Sequence, residues 1–287
     1  MKALRAEKVK RIIKIITLIA IIMAILICMG CADEKAVVVN NNVNPYFVNS
    51  INHRGWHKAP ENTLSAYRES AKNGFSMVEC DVHFTKDDVP VLIHDKDIDR
   101  TSNGTGEVSE LLWSEISTYD FGSWKSPKYK GEKIPKFEEF IGLCKNLSLH
   151  PYIEIKTKLK AEHIKILLGI VKRYGMQDNV TWISWHISFL REVCKIYPKS
   201  RVGYLVLDLT DEVFDAVCKL RTEQNNVFVD CDYTVINEEK IDKCIENLIP
   251  LEVWVVDDAR AIRELDPYIS GVTSSIYVAG EILKNKR

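Results

Sequence analysis

Glu79 and Asp81 stand two residues apart in Met77-Val78-Glu79-Cys80-Asp81-Val82, a run whose apolar, β-branched character predicts a strand. At that spacing both acids point to one side of the strand and Cys80 points away. Two carboxylates about 5 Å apart repel by roughly 3 kcal/mol at an effective dielectric near 20. The pair therefore needs a shared proton, a basic partner or a metal ion. Tyr152-Ile153-Glu154-Ile155-Lys156 repeats the device, with Glu154 and Lys156 on one face. If the two runs are neighbouring strands, three carboxylates converge on one mouth. Hard oxygen ligands of this kind suit one divalent cation, Ca²⁺ or Mg²⁺.

Two histidines end other predicted strands: His53 in His53-Arg54-Gly55, and His94 in Val91-Leu92-Ile93-His94-Asp95. Imidazole titrates near neutral pH, so one ring can accept a proton while the other donates one. Cleavage of a phosphodiester needs both events. Three carboxylates alone would repel such a monoanion. A divalent cation together with Arg54 and Lys156 reverses the sign, and an Arg fork and a Lys point charge are common phosphate clamps.

The elements that must position these residues alternate along the chain. Strand patterns fall at 47–53, 76–83, 150–156, 180–185, 201–207, 227–231, 251–256 and 269–275, separated by helical patterns at 62–73, 136–147, 160–174, 188–196, 211–223, 238–248 and 258–265, with a last one near 276–285. Eight βα units predict an α/β fold, a closed (β/α)₈ TIM barrel. One run breaks the rhythm. Val89–His94 follows the second strand after only Lys86-Asp87-Asp88, too short a link for a parallel crossover, so an antiparallel hairpin is expected. That hairpin and the aperiodic stretch after it form an insertion of about 84–135, on the barrel face where long loops build sites.

The 39 basic and 40 acidic residues nearly cancel, so composition argues against a nucleic-acid partner. Charge is concentrated at the N-terminus, where Lys2, Arg5, Lys8, Lys10, Arg11 and Lys14 precede an apolar run from Ile15 to Met29, the pattern of an export signal. Gly30-Cys31 resembles a lipoprotein cleavage site with Cys31 as the lipidated residue; Cys28, standing where that pattern has a leucine-like residue, keeps an uncleaved anchor open. Residues 1–31 thus read as a signal or anchor, 32–46 as a linker and 47–287 as the barrel domain. This places the protein on the extracytoplasmic face of the cell membrane, held there through its N-terminus. Cys80, Cys144, Cys194, Cys218, Cys231 and Cys244 are widely spread and read as free thiols, mostly buried.

Taken together, His53-Arg54-Gly55, Pro60-Glu61-Asn62-Thr63, Glu79-Cys80-Asp81, His94-Asp95 and Glu154-Ile155-Lys156 resemble the glycerophosphodiester phosphodiesterase family, as do Asp99–Gly104 and Ile134-Pro135. The resemblance covers about residues 50–265. It implies hydrolysis of small-molecule glycerophosphodiesters, or related phosphodiester polymers, to sn-glycerol 3-phosphate and an alcohol, with no obligate protein partner evident. It implies His53 as general base, His94 as general acid, Glu79, Asp81 and Glu154 as metal ligands, and Arg54 and Lys156 as phosphate contacts. Trp254 occupies the place of an aromatic lining the substrate pocket, and Glu61 a supporting position. His57 and His83 read as surface or loop residues. Two departures stand at the C-terminal end: Asp257 where the family carries Asn, and Ser274-Ser275 where it carries Thr-Asp. Two other readings are a phospholipase C- or D-like enzyme on intact lipids, with an apolar rim including Trp113, Phe121 and Trp124, and a non-catalytic binding barrel.

Overall fold

The computed structural model describes residues 49–276, apart from 158, 224 and 225. The export segment, Cys31, the linker and nearly all of the helix expected near 276–285 lie outside the described residues. Of the two compact units into which the chain divides, the larger comprises Val48–Leu265 and Ile269–Arg287. In the other, only Asp266–Tyr268 are described, a turn in which Tyr268 N donates to Asp266 Oδ1 at 2.9 Å.

The larger unit is built from β1 (Asn49–Asn52), α1 (Leu64–Lys72), β2 (Met77–Phe84), β3 (Pro90–Leu92), α2 (Trp113–Ile116), α3 (Phe137–Leu147), β4 (His150–Ile155), α4 (Ala161–Arg173), β5 (Thr181–Ser184), α5 (Ile187–Ile196), β6 (Arg201–Val206), α6 (Asp211–Glu223), β7 (Val227–Asp232), α7 (Glu238–Glu246), β8 (Leu251–Trp254), α8 (Ala259–Glu264) and β9 (Ile269–Ser274). The eight long-range strands pair in parallel in the order β1, β9, β8, β7, β6, β5, β4, β2, and β1 pairs with β2 to close the ring. This is the expected TIM barrel. Alternation along each strand sorts the side chains. Ile51, Tyr152, Ile183, Leu205 and Phe228 pack against one another in the interior. Residues of the other parity, such as Val78, Cys80, Val82, Ile153 and Val253, are fully buried on the helix-facing side.

The hairpin is also present, and its placement matters. Val82 pairs with Ile155 of β4 on one edge and with Leu92 of β3 on the other. β1 occupies that second edge only as far as Val78. The antiparallel β3 therefore takes over the edge β1 leaves, and Ile93 N donates to the Asp81 carbonyl at 3.1 Å. That contact delivers His94 to the rim directly beside Asp81. The insertion has a small core of its own, made by Val91, Ile93, Ile98, Val108, Ile116, Phe121 and Ile134. Phe121 is thus buried, and the continuous apolar rim with Trp113 and Trp124 is not formed. The described free cysteines are buried except Cys218, which is half-buried.

Candidate active site

The turn after β1 begins the site. Arg54 and Gly55 both have positive φ, +52° and +82°, a region most non-glycine residues avoid. At Gly55 a Cβ would lie 2.7 Å from Ala66 Cβ and 3.1 Å from the Ala66 carbonyl carbon. The left-handed turn aims Arg54 N at Glu79, donating to Oε2 at 2.9 Å. His53 N donates to the Ser274 carbonyl at 3.0 Å, fixing its backbone to the end of β9. Gly55→Ala is expected to lower stability by about 1–3 kcal/mol and to disorder this contact, reducing activity as well. Thermal unfolding of the variant, read beside its turnover, checks both effects.

Glu79, Asp81 and Glu154 meet as expected: one oxygen from each lies within 4.8 Å of the others. Glu79 and Asp81 are almost wholly buried. Glu79 Oε1 and Asp81 Oδ1 are buried and accept no hydrogen bond, the only cation at Asp81 Oδ1 among the described residues being Lys156 at 3.3 Å, and buried carboxylate oxygens without a donor are costly unless a cation neutralises them. Burial, then repulsion by Asp81 and Glu154, pushes Glu79 well above the carboxylate range. Asp81 goes the other way. Burial raises it, but Lys156 and Arg54 outweigh burial and hold it well below the usual value. The donor set, all hard oxygen and with acceptors to spare, fits a divalent cation.

The basic residues are tied to these acids. Lys156 Nζ lies 2.9 Å from Glu154 Oε1 and 3.3 Å from Asp81 Oδ1. Arg54 Nε lies 3.3 Å from Asp81 Oδ2, and its Nη1 lies 3.1 Å from Glu61 Oε1. Glu61 takes the supporting position expected of it, and more. It accepts two hydrogen bonds from Arg100, at 2.8 and 2.9 Å, while Arg100 Nε reaches Asp95 Oδ2 at 2.6 Å. Asp95 Oδ1 is 2.7 Å from His94 Nδ1. The Arg100 hydrogen bond lowers Asp95 to about 2, so it is ionised and accepts at neutral pH. His94 Nδ1 therefore donates, and its Nε2 remains for the substrate.

Asp81 and His94 both act electrostatically on His53, and His94 acts on Asp81. Burial, reinforced by Arg54, lowers His53 to about 4. It is neutral at pH 7, the state a proton acceptor requires.

Sequence reasoning missed four residues around this set. Asn62, buried with φ +56°, donates to Asp81 Oδ2 at 2.7 Å and accepts from Asp81 N at 3.2 Å and from Tyr67 Oη at 2.9 Å. The next residue, Thr63, caps α1, its side chain accepting from Ala66 N. Trp185 Nε1 donates to Glu154 Oε1 at 3.0 Å and stands edge-on to Trp254, with ring centroids 5.5 Å apart. Trp254 thus reaches the acidic cluster only through Trp185, and its own Nε1 is bonded to the Asp230 carbonyl. Arg100 was visible only as part of a motif. His83 is corrected: it is buried in β2, with Nε2 3.2 Å from the His94 carbonyl. His57 is exposed as expected. The departures at Asp257, Ser274 and Ser275 compensate one another. Asp257 Oδ1 accepts from Ser274 Oγ at 3.1 Å and Ser275 N at 2.6 Å, and Oδ2 from Ser275 Oγ at 3.0 Å, tying the ends of β8 and β9 together.

Residues 53–268 match the sequence model of the glycerophosphoryl diester phosphodiesterase family. A glycerophosphodiester phosphodiesterase of Caldanaerobacter subterraneus subsp. tengcongensis is 32% identical over 72% of this chain and 85% of that protein. Human glycerophosphodiester phosphodiesterase 1 is 40% identical over 38% of this chain, a match spanning only 34% of the human protein. Among solved structures, an Oleispira antarctica phosphodiesterase in complex with the product sn-glycerol-3-phosphate aligns with a TM-score of 0.74, covering 85% of this chain and 98% of that one. At 23% identity that likeness is one of fold.

Proposed function

The chain belongs to the glycerophosphoryl diester phosphodiesterase family, and we propose that it is a hydrolase converting glycerophosphodiesters to sn-glycerol 3-phosphate and an alcohol by two-histidine acid–base catalysis. The observation that carries this reading is the three-carboxylate cluster, two of whose buried oxygens accept no hydrogen bond, flanked by Arg54 and Lys156 and within electrostatic reach of both imidazoles. Glu79, Asp81 and Glu154 would hold one divalent cation, Ca²⁺ or Mg²⁺, which supplies charge neutralisation and polarisation of a phosphoryl oxygen. Arg54 and Lys156 orient the substrate's phosphate, each braced by an acid so that the donor geometry is set before binding. Neutral His53 accepts the proton of the attacking hydroxyl. His94 enters this step protonated on both ring nitrogens: Nδ1 keeps its proton toward Asp95, and Nε2 passes its own to the departing alkoxide, leaving the neutral ring. Trp254 and Trp185 form an aromatic corner beside Glu154 that shapes the pocket wall.

The lipid-cleaving alternative needs an apolar docking rim, and the burial of Phe121 removes its centre. The binding-barrel alternative has no lost catalytic group to support it. We also place the enzyme at the extracytoplasmic membrane face, supported by the basic and apolar N-terminal pattern and by Gly30-Cys31.

The full chain, assayed on glycerophosphocholine and glycerophosphoethanolamine, is expected to release glycerol 3-phosphate. Chelation should abolish that release, and added Ca²⁺ or Mg²⁺ should restore it. Undiminished turnover after exhaustive chelation would remove the metal from the reading, and no release under any condition would remove the activity.

A further inference from the structure

Arg100 engages all three of its guanidinium nitrogens with two acids from different parts of the fold. Nε donates to Asp95 Oδ2 at 2.6 Å, Nη1 to Glu61 Oε2 at 2.9 Å and Nη2 to Glu61 Oε1 at 2.8 Å. Asp95 and Arg100 belong to the insertion, whereas Glu61 lies on the barrel's own loop between β1 and α1. That loop is pinned at the next residue. Asn62 N donates to the Arg54 carbonyl at 3.0 Å, and Asn62 Nδ2 to Asp81 Oδ2 at 2.7 Å. A surface ion pair usually contributes little unless its geometry is bidentate. Here two N–H groups meet both oxygens of Glu61, the form that fixes direction as well as distance.

The consequence falls on His94. Its backbone is placed by Ile93 N on the Asp81 carbonyl at 3.1 Å and by His83 Nε2, 3.2 Å from the His94 carbonyl. Those contacts leave the ring free to turn about its side-chain bonds. The ring is set by Nδ1 against Asp95 Oδ1, at 2.7 Å. A carboxylate held only by the imidazole it is meant to orient would orient nothing. Arg100 holds the other oxygen, so the plane of Asp95 is fixed independently of His94. The loop that presents Arg100 is itself anchored, with Ile98 in the core of the insertion and Ser102 Oγ donating to the Ile98 carbonyl at 2.8 Å.

We propose that Arg100 is a positioning residue for proton delivery: through Asp95 it holds the His94 ring with Nε2 toward the leaving oxygen, and Glu61 is its fixed point on the barrel. The inference rests on the phosphodiesterase reading above. In this role Arg100 acts on the departure of the alkoxide alone. The phosphate clamp keeps its own contact, Arg54 Nη1 to Glu61 Oε1 at 3.1 Å, when Arg100 is removed. Lysine cannot stand in, because one ammonium does not present a planar fork to two acids.

The test measures kcat and KM for the full chain, Arg100→Met, His94→Gln and their double variant, on glycerophosphocholine and on a nitrophenyl ester of glycerol phosphate. On glycerophosphocholine, Arg100→Met is expected to lower kcat about 10–100-fold, the range seen when the partner orienting a functional histidine is lost, and to change KM by less than about threefold. The nitrophenyl leaving group needs no proton, so there the loss should shrink to about twofold. In the His94→Gln background the same substitution should cost no more than about twofold on glycerophosphocholine, since the group it positions is gone. Arg100 is 45% exposed, so soluble guanidinium at millimolar concentration should reach the gap in Arg100→Ala and restore part of kcat, whereas Arg100→Lys should stay slow. Equal losses on both substrates, a loss carried by KM, a full further loss on top of His94→Gln, or no recovery with guanidinium overturns the positioning role while the phosphodiesterase reading stands. If the wild type cleaves neither substrate, that reading fails and the role of Arg100 falls with it.

Discussion

Replacing His53 with glutamine is expected to lower kcat by about 10²–10⁴-fold, the usual loss when a positioned acid or base is removed, and His94→Gln should cost as much. Glutamine preserves hydrogen bonding but cannot exchange a proton at these pH values, so the loss isolates proton transfer from packing. The two variants should differ in one respect. Removing the acid hurts most when the departing alkoxide is basic, so a substrate with an acidic leaving group, such as a nitrophenyl ester, should rescue His94→Gln and leave His53→Gln inactive. Rescue of both alike would deny the division of roles. The pH profile carries a second signature. Burial and Arg54 lower His53 to about 4. A base must be unprotonated to act, so kcat/KM of the free enzyme should hold as pH falls through the ordinary imidazole value of about 6.5 and decline only nearer 4. An acid limb at 6.5 would show that some other group is the base.

The barrel was legible because its signals are periodic. All eight barrel strands and the seven main helices that alternate with them fall where apolar alternation and amphipathic spacing place them. The hairpin was legible through a length argument alone, since three residues cannot connect parallel neighbours. The interior of the insertion was not. Ile98, Val108, Ile116, Phe121 and Ile134, which pack with the β3 residue Val91 to form its core, are too irregularly spaced to register as a helix or a strand. Turn chemistry holds them in place instead: Asp120 alone accepts from Gly122 N, Ser123 N, Ser123 Oγ and Gly131 N. Phe121 looked like a rim residue for this reason.

The reacting residues were easier to find than the residues that hold them. Glu79, Asp81, Glu154, His53 and His94 are unusual types at strand ends, and strand parity alone aligns the first two. Asn62, Arg100, Trp185 and His83 are ordinary types whose importance comes from contacts across 11 to 39 positions in sequence, such as His83 to His94 and Arg100 to Glu61. No local pattern encodes such a contact. His83 is instructive, because the same parity that aligns Glu79 with Asp81 also places it inward.

Parity has a further consequence deeper in the barrel, where Arg201→Met is expected to destabilise the fold by about 3–5 kcal/mol, the cost of leaving a buried charge without its partner. Glu252 is almost fully buried on β8, opposite Asp230 in the strand register. Its Oε1 accepts from Arg201 Nη2 at 2.7 Å and from Tyr152 Oη at 3.3 Å, and Arg201 Nη1 donates to that same hydroxyl at 2.8 Å. The guanidinium lies 3.9 Å from the centre of the Phe228 ring. Gly271 makes the room: a Cβ there would stand 2.3 Å from Glu252 Cδ. Burial, then Glu252, pushes Asp230 well above the carboxylate range, and Arg201 is the cation that faces Glu252, 2.7 Å away. Methionine keeps much of the side-chain volume and removes the charge. Urea unfolding of Arg201→Met should therefore show a lowered midpoint with an unchanged slope, and Arg201→Met/Glu252→Gln should recover most of the loss because no carboxylate is then stranded. If the double variant is as unstable as the single one, packing over Phe228 rather than charge is what Arg201 supplies.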